Sequence, residues 1–145
     1  MAAKNFFSDQ QRHTIENAIR EAEKNTSGEI RVHLESTCSS NVLDRCAYLF
    51  DKLEMNKTEL RNGVLFYMAV VDHKFAVIGD AGINQKVAEN FWNEINETMK
   101  THFIQGDFVG GLTMAIIRCG EQLKVHFPYQ KNDVNELPDE ISFGK

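Results

Sequence analysis

The chain has 145 residues, a formal net charge of −5, 42% hydrophobic and 26% charged residues. That length fits one domain with a short tail, and it buries enough surface to fold without disulfides or metal as a prerequisite. Nine glycines and two prolines exclude collagen-like and low-complexity classes. The apolar content excludes global disorder, and the acidic balance argues against nucleic acid or an anionic membrane as partner.

Met1 to Phe7 carries one basic residue and no apolar run behind it, which is not the pattern of a secretory signal. Ser8 and Gln11 form a capping box, and Ile15, Ala18, Ile19 and Ala22 recur at helical spacing. A first helix is expected from Asp9 to Lys24, stopping before Thr26-Ser27-Gly28. Glu29 to Glu35 alternates strictly, with Ile30, Val32 and Leu34 on one side, which predicts a strand with one apolar face near a sheet edge. Asn41 can cap a second helix with Leu43, Cys46, Ala47, Phe50 and Leu53 on its stripe. Val64 to Val71 is continuously apolar and reads as a central strand covered on both faces. It is far short of the ~20 residues that a membrane helix needs.

Asp72-His73 is a candidate two-residue turn, and Lys74 to Gly79 returns as a third strand. Val87, Phe91, Ile95 and Met99 mark a third helix. Asp107 can cap a fourth, with Leu112, Ala115, Ile116, Cys119 and Leu123 inside and Pro128 ending it. The expected architecture is a three-layer αβα sandwich: a small mixed sheet with helices on both faces, spanning residues 1–128. Residues 129–145 form an acidic extension that either docks or is disordered. Cys38, Cys46 and Cys119 form no Cys-x-x-Cys pair and are expected as free thiols in a reducing cytoplasm, Cys46 and Cys119 in the core and Cys38 in a polar turn.

The predicted hairpin has a consequence for the polar residues. If Val71 faces Lys74, Gly63 lies opposite Gly82, and the loop 57–63 meets the loop 79–84. The start of the first strand reaches the same end of the sheet. Glu29, Glu59, Asn62, Asp80 and Asn84 then converge from three segments. Carboxylate, amide and carbonyl oxygens suit calcium or magnesium and poorly suit zinc. The alternative is that Asp80 and Asn84 cap the third helix while Glu59 pairs with Arg61 or Lys57. A rival site lies at the other end of the sheet, with Glu35, Cys38, Asp44, Asp72 and His73 beyond the carboxyl ends of the parallel strands. Asp133, Glu136, Asp139 and Glu140 could complete a cation site if the tail folds back. Phosphate-loop, Gly-x-Ser-x-Gly and His-Glu-x-x-His motifs do not occur.

Thr26-Ser-Gly-Glu-Ile-Arg-Val32, Arg61-Asn-Gly-Val-Leu65, Ile78-Gly-Asp-Ala-Gly-Ile83 and Gly106-Asp-Phe-Val-Gly-Gly-Leu112 occur in an order that resembles TPM domains, over about Phe6 to Phe127. The resemblance implies an αβα sandwich with a pair of crossing loops that bind divalent cations, calcium among them. It points to a stand-alone TPM domain holding up to two calcium or magnesium ions. Many family members carry a signal or membrane segment; neither pattern is seen here. The family often has an acidic residue where Asn84 stands, so a neutral amide there implies weaker affinity. Acid phosphatase activity, assigned to some plant relatives, is a second expectation, although no nucleophile motif accompanies it. A protein-binding adaptor acting through the tail is a third.

Overall fold

The computed structural model of the chain describes residues 3–129 and 137–144. After a 3-10 turn at Ala3–Asn5, helix α1 covers Asp9–Glu23, strand β1 Glu29–Glu35 and helix α2 Val42–Lys52. A second 3-10 turn at Met55–Lys57 leads into β2, Gly63–Ala69, and β3, Lys74–Gly79. A single turn of helix, α3, follows at Ala81–Asn84, then α4 at Phe91–Ile104, α5 at Phe108–His126 and the short β4 at Ser142–Phe143.

Local chemistry explains the helix starts. Ser8 Oγ accepts the Gln11 N–H at 3.1 Å while Gln11 takes the Ser8 N–H at 2.8 Å, which satisfies two orphan donors of α1. Asn41 Oδ1 accepts from Leu43 and Asp44 at the start of α2, and Asp107 Oδ1 accepts from Gly110 at the start of α5. The stripe of α2 differs from the sequence expectation. Leu43 is 56% exposed, while Cys46, Leu49 and Phe50 are the buried positions.

The sheet order is β3-β2-β1-β4. β1 and β2 are parallel, with Glu29 opposite Gly63 and Glu35 opposite Ala69, and β3 is antiparallel to β2. Helices α1, α4 and α5 cover one face over Ile30, Val32, Leu34, Val64, Phe66 and Met68. Helix α2 and the Met55 turn cover the other over Leu65, Tyr67, Ala69 and Ala76. The result is the expected three-layer αβα sandwich.

Two expectations about the sheet are corrected. The hairpin turn is longer than two residues, because Ala69 pairs with Lys74 and Val64 with Gly79. Val70 and Val71 instead donate to Glu35 and Ser36 carbonyls at 2.8 Å, so they continue the β1–β2 side and leave β3. The register moves by two residues, which keeps the same faces in contact. The second correction concerns the sheet edge. β1 is interior, because β4 pairs alongside it at His33 and Leu34. Leu137 packs under α2 and Ile141 enters the opposite core, so residues 137–144 straddle the β1 edge. Asp133, Val134 and Glu136 lie outside the described residues. All three cysteines are free thiols and buried, Cys38 included. Among the described residues, no helix is long and apolar enough to cross a membrane.

Candidate functional site

The end of the sheet where β1 and β2 begin is built by three segments. The Glu29 N–H donates to the Asn62 carbonyl at 3.3 Å, and the Asp80 N–H donates to the Gly63 carbonyl at 2.9 Å. Gly82 sits directly against the Leu60 and Arg61 carbonyls, so closely that a Cβ there would overlap them. The loops before β2 and after β3 therefore cross in backbone contact, as their sequence positions predict.

The five predicted ligands divide at this crossing. Asp80 is 6% exposed and starts α3, its Oδ1 accepting from the Ala81 N–H at 2.7 Å. The same carboxylate is gripped by Arg61 in a two-point ion pair, Nε to Oδ2 at 2.6 Å and Nη2 to Oδ1 at 2.7 Å. Arg61 thus pairs with Asp80, whereas the sequence suggested Glu59. Its backbone is left-handed, with φ 52°. Asn62 is 1% exposed, and its Nδ2 donates to Ser27 Oγ at 3.3 Å. Its Oδ1 is buried and has no hydrogen-bond partner among the described residues. Glu29 is buried at the start of β1 beside this amide's backbone. Asn84 faces away: its Nδ2 donates to the Gly79 carbonyl and its Oδ1 accepts from Trp92 Nε1, both at 2.8 Å. Glu59 is on the exposed side of the loop. Among the described residues, no three His, Cys, Asp or Glu side chains converge as a metal-holding group.

A neighbouring carboxyl group escaped the sequence reading. Glu23, at the end of α1, hydrogen bonds with Asp139 of the C-terminal segment, and its Oε2 accepts the Ile30 N–H at 2.8 Å. Burial pushes the Glu23 carboxyl up to about 10, helped by the Asp139 hydrogen bond and the charge of Glu29 and opposed by the Ile30 N–H. A cleft of about 260 Å³ opens here, lined in part by Arg20, Glu23, Ser27, Glu29 and Asp139. The available signal was the acidic residue just before Thr26-Ser27-Gly28. Its partner lies over a hundred residues away, so local spacing could not pair them.

The rival end of the sheet is also built from buried polar groups. Glu35 takes a two-point grip from Arg45, with Nε to Oε2 at 3.1 Å, and the Tyr67 hydroxyl donates to Oε2 at 2.6 Å. Burial alone would raise the Glu35 carboxyl, but the Arg45 and Tyr67 hydrogen bonds outweigh it and hold it below the usual range. His33 lies 3.5 Å from Glu35 and bonds Ser142 through Nδ1 at 2.8 Å. Burial lowers His33 despite the nearby carboxylate, so its neutral form is favoured. Asp72 accepts the Cys38 N–H at 2.7 Å, which fixes the loop after β1. His73 is exposed at the hairpin with φ 56°, its ring against Phe108, and Asp44 lies in the first turn of α2. Asp72 and His73 thus serve separate contacts and form no acid–base pair.

The whole architecture recurs in known structures. It matches the NMR structure of the BA42 protein from the psychrophilic bacterium Bizionia argentinensis with a TM-score of 0.90 and 45% identity, covering 97% of each chain. The N-terminal domain of a protein from P. gingivalis gives a TM-score of 0.71 at 15% identity, over 87% of this chain and 83% of that one. The N-terminal domain of cg2496 from Corynebacterium glutamicum gives 0.66 at 13% identity, over 81% and 74%. The last two likenesses concern the fold alone. No curated protein matches the sequence. The TPM domain (TPM_phosphatase) family model matches residues 1–122, the region that holds both crossing loops and every helix start described above, and the chain belongs to this family.

Proposed function

We propose that this protein binds a divalent cation, calcium or magnesium, where the two loops cross. The observation that carries the reading is Asn62 Oδ1, a buried amide oxygen at the crossing without a hydrogen-bond donor among the described residues. Leaving such a group unsatisfied costs about 1–3 kcal/mol, and a hard cation satisfies it. The other candidate ligands on the three segments are also oxygens: the buried Asp80 and Glu29 carboxylates, the Ser27 hydroxyl beside the amide, and the loop carbonyls. Their chemistry fits calcium or magnesium better than zinc or copper. Asn62, Asp80 and Glu29 are the ligands we assign, and up to two ions would find oxygens here. Glu59 and Asn84 join only if the exposed loop and the Trp92 hydrogen bond rearrange. With few carboxylates, the site is a weak one, suited to stabilising the loops or responding to cation level.

Titration of chelator-treated protein with calcium and with magnesium, followed by amide NMR, tests this reading. Shifts confined to residues 27–29, 58–63 and 79–84 are expected, with saturation at micromolar to millimolar cation. Asp80→Asn should weaken them strongly while leaving the circular dichroism spectrum intact. A spectrum that does not move at millimolar calcium or magnesium overturns the proposal.

A further inference from the structure

We propose that Arg61 is a built-in competitor for the cation at Asp80, so that a divalent ion binds by displacing its guanidinium. The inference rests on the cation-binding reading above and concerns how that site is regulated. The Asp80 side chain is 5% exposed, and a carboxylate buried to that degree requires a compensating charge. Among the described residues, Arg61 supplies it, at 2.6 and 2.7 Å. The guanidinium is a planar fork that occupies both carboxylate oxygens at once. A metal ion and Arg61 therefore cannot both take the same oxygens.

The pair is asymmetric in a way that suits exchange. Asp80 is fixed: its N–H bonds Gly63, its Oδ1 accepts from Ala81, and Gly82 behind it is wedged on the opposite loop. The Arg61 side chain is 51% exposed, so it can swing into water without unfolding anything. Its backbone stays, because the Arg61 N–H bonds the Thr58 carbonyl at 3.2 Å and its carbonyl abuts Gly82. Exchange is then one side-chain rotation. A released Asp80 carboxylate would lie on the same loop crossing as Asn62, whose own oxygen is already without a donor.

Two measurements on the full chain test the proposal, with calcium alone as the probe. First, the Arg61 side-chain Nε–H signal is followed during a calcium titration of the unaltered protein. It should move toward the position of a free arginine in step with the amide shifts of Gly79–Ile83. Second, Arg61→Gln should bind calcium about tenfold tighter or more, the factor that losing a charge-assisted pair corresponds to. Its metal-free melting temperature should fall, and calcium should restore more of it than calcium adds to the parent. If the parent binds calcium while the Nε–H signal stays put and Arg61→Gln binds no tighter, the competitor role is wrong and the cation site stands. If neither protein binds calcium, both the role and the cation reading are wrong.

Discussion

Glu23 and Asp139 tie the end of α1 to the C-terminal segment through a hydrogen bond between carboxyl groups. One sits at the last turn of α1, the other in the segment that delivers β4 to the sheet. Carboxyl groups can bond in this way only if one keeps its proton. Glu23 does so, because burial raises it from 4.5 to about 10. In the unfolded chain it titrates near its ordinary value. Its contribution to stability is therefore complete below pH 4.5 and drains away as pH rises toward about 10.

Glu23→Gln should reverse that drain. The amide keeps an oxygen for the Ile30 N–H and offers a permanent N–H to Asp139. The variant should melt higher than the parent at pH 8, by at least about 3 °C, which is near 1 kcal/mol in a domain of this size. At pH 4 the difference should vanish. Thermal unfolding across pH 4–9 measures both. A constant difference at every pH would show that Glu23 titrates normally and that the hydrogen bond is not a proton-dependent tie.

Gly82→Ala tests whether the loop crossing is as close as its contacts imply. The added methyl meets backbone carbonyls of Leu60 and Arg61, which cannot rotate aside as a side chain could. The cost should be about 1–3 kcal/mol, read from urea unfolding. The calcium response should weaken with it, since the same displacement separates Asp80 from Asn62. A variant as stable as the parent would mean that the loops can part freely.

Much of this molecule was legible because local rules and packing agree. β1 ends where its alternation ends, β3 covers the expected Lys74–Gly79, and the Ser8, Asn41 and Asp107 caps lie where the helices begin. The hairpin register was misread because Val70 and Val71 are apolar enough to extend β2; in the fold they follow the β1 side. The convergence of the loops survived that error, since a shift of two residues preserves the faces. The β1 edge was misread because β4 is two residues long and carries no periodic pattern. At the site, sequence placed Asn62 and Asp80 at the crossing but could not assign the partner of Arg61. That pairing joins residues 19 apart that only the loop crossing brings together, and local spacing does not encode it.

Arg45→Met should expose the opposite electrostatic case. Glu35 is 4% exposed on its side chain, and Arg45 is its main compensating charge. Removing one member of a buried pair costs about 3–5 kcal/mol; with Arg45 itself 35% exposed, about 2–3 kcal/mol is expected. The pH signature is distinct. A lowered Glu35 contributes stability that is present above pH 4.5 and lost as pH falls through its folded value. In Arg45→Met that acid-side loss should shrink, because only the Tyr67 hydrogen bond and the nearby His33 then favour the charged carboxyl. His33 adds a second acid-side term, since a buried histidine lowered from 6.5 destabilises the fold once pH drops below that value. Parent and variant unfolding curves from pH 3 to 7 separate the two. An unchanged acid slope in Arg45→Met would assign the whole effect to His33.

Ile141→Ala asks how firmly the C-terminal segment is held. Ile141 is 6% exposed in the larger core, its N–H bonds the Glu16 carboxylate at 3.1 Å, and three residues on the Gly144 N–H bonds the Leu34 carbonyl at 2.8 Å. Truncating a buried isoleucine costs about 2–5 kcal/mol where the site cannot collapse. Here the segment can lift away from β1, so the cost should sit near the low end, about 2 kcal/mol. The lost energy should appear locally. Hydrogen exchange at the Gly144 amide should accelerate more than at the β1 amides paired to β2, because β4 opens while the parallel pair holds. Uniform acceleration at every amide would mean instead that β4 and the central strands unfold as one unit, and that the tail is as much a part of the core as β2.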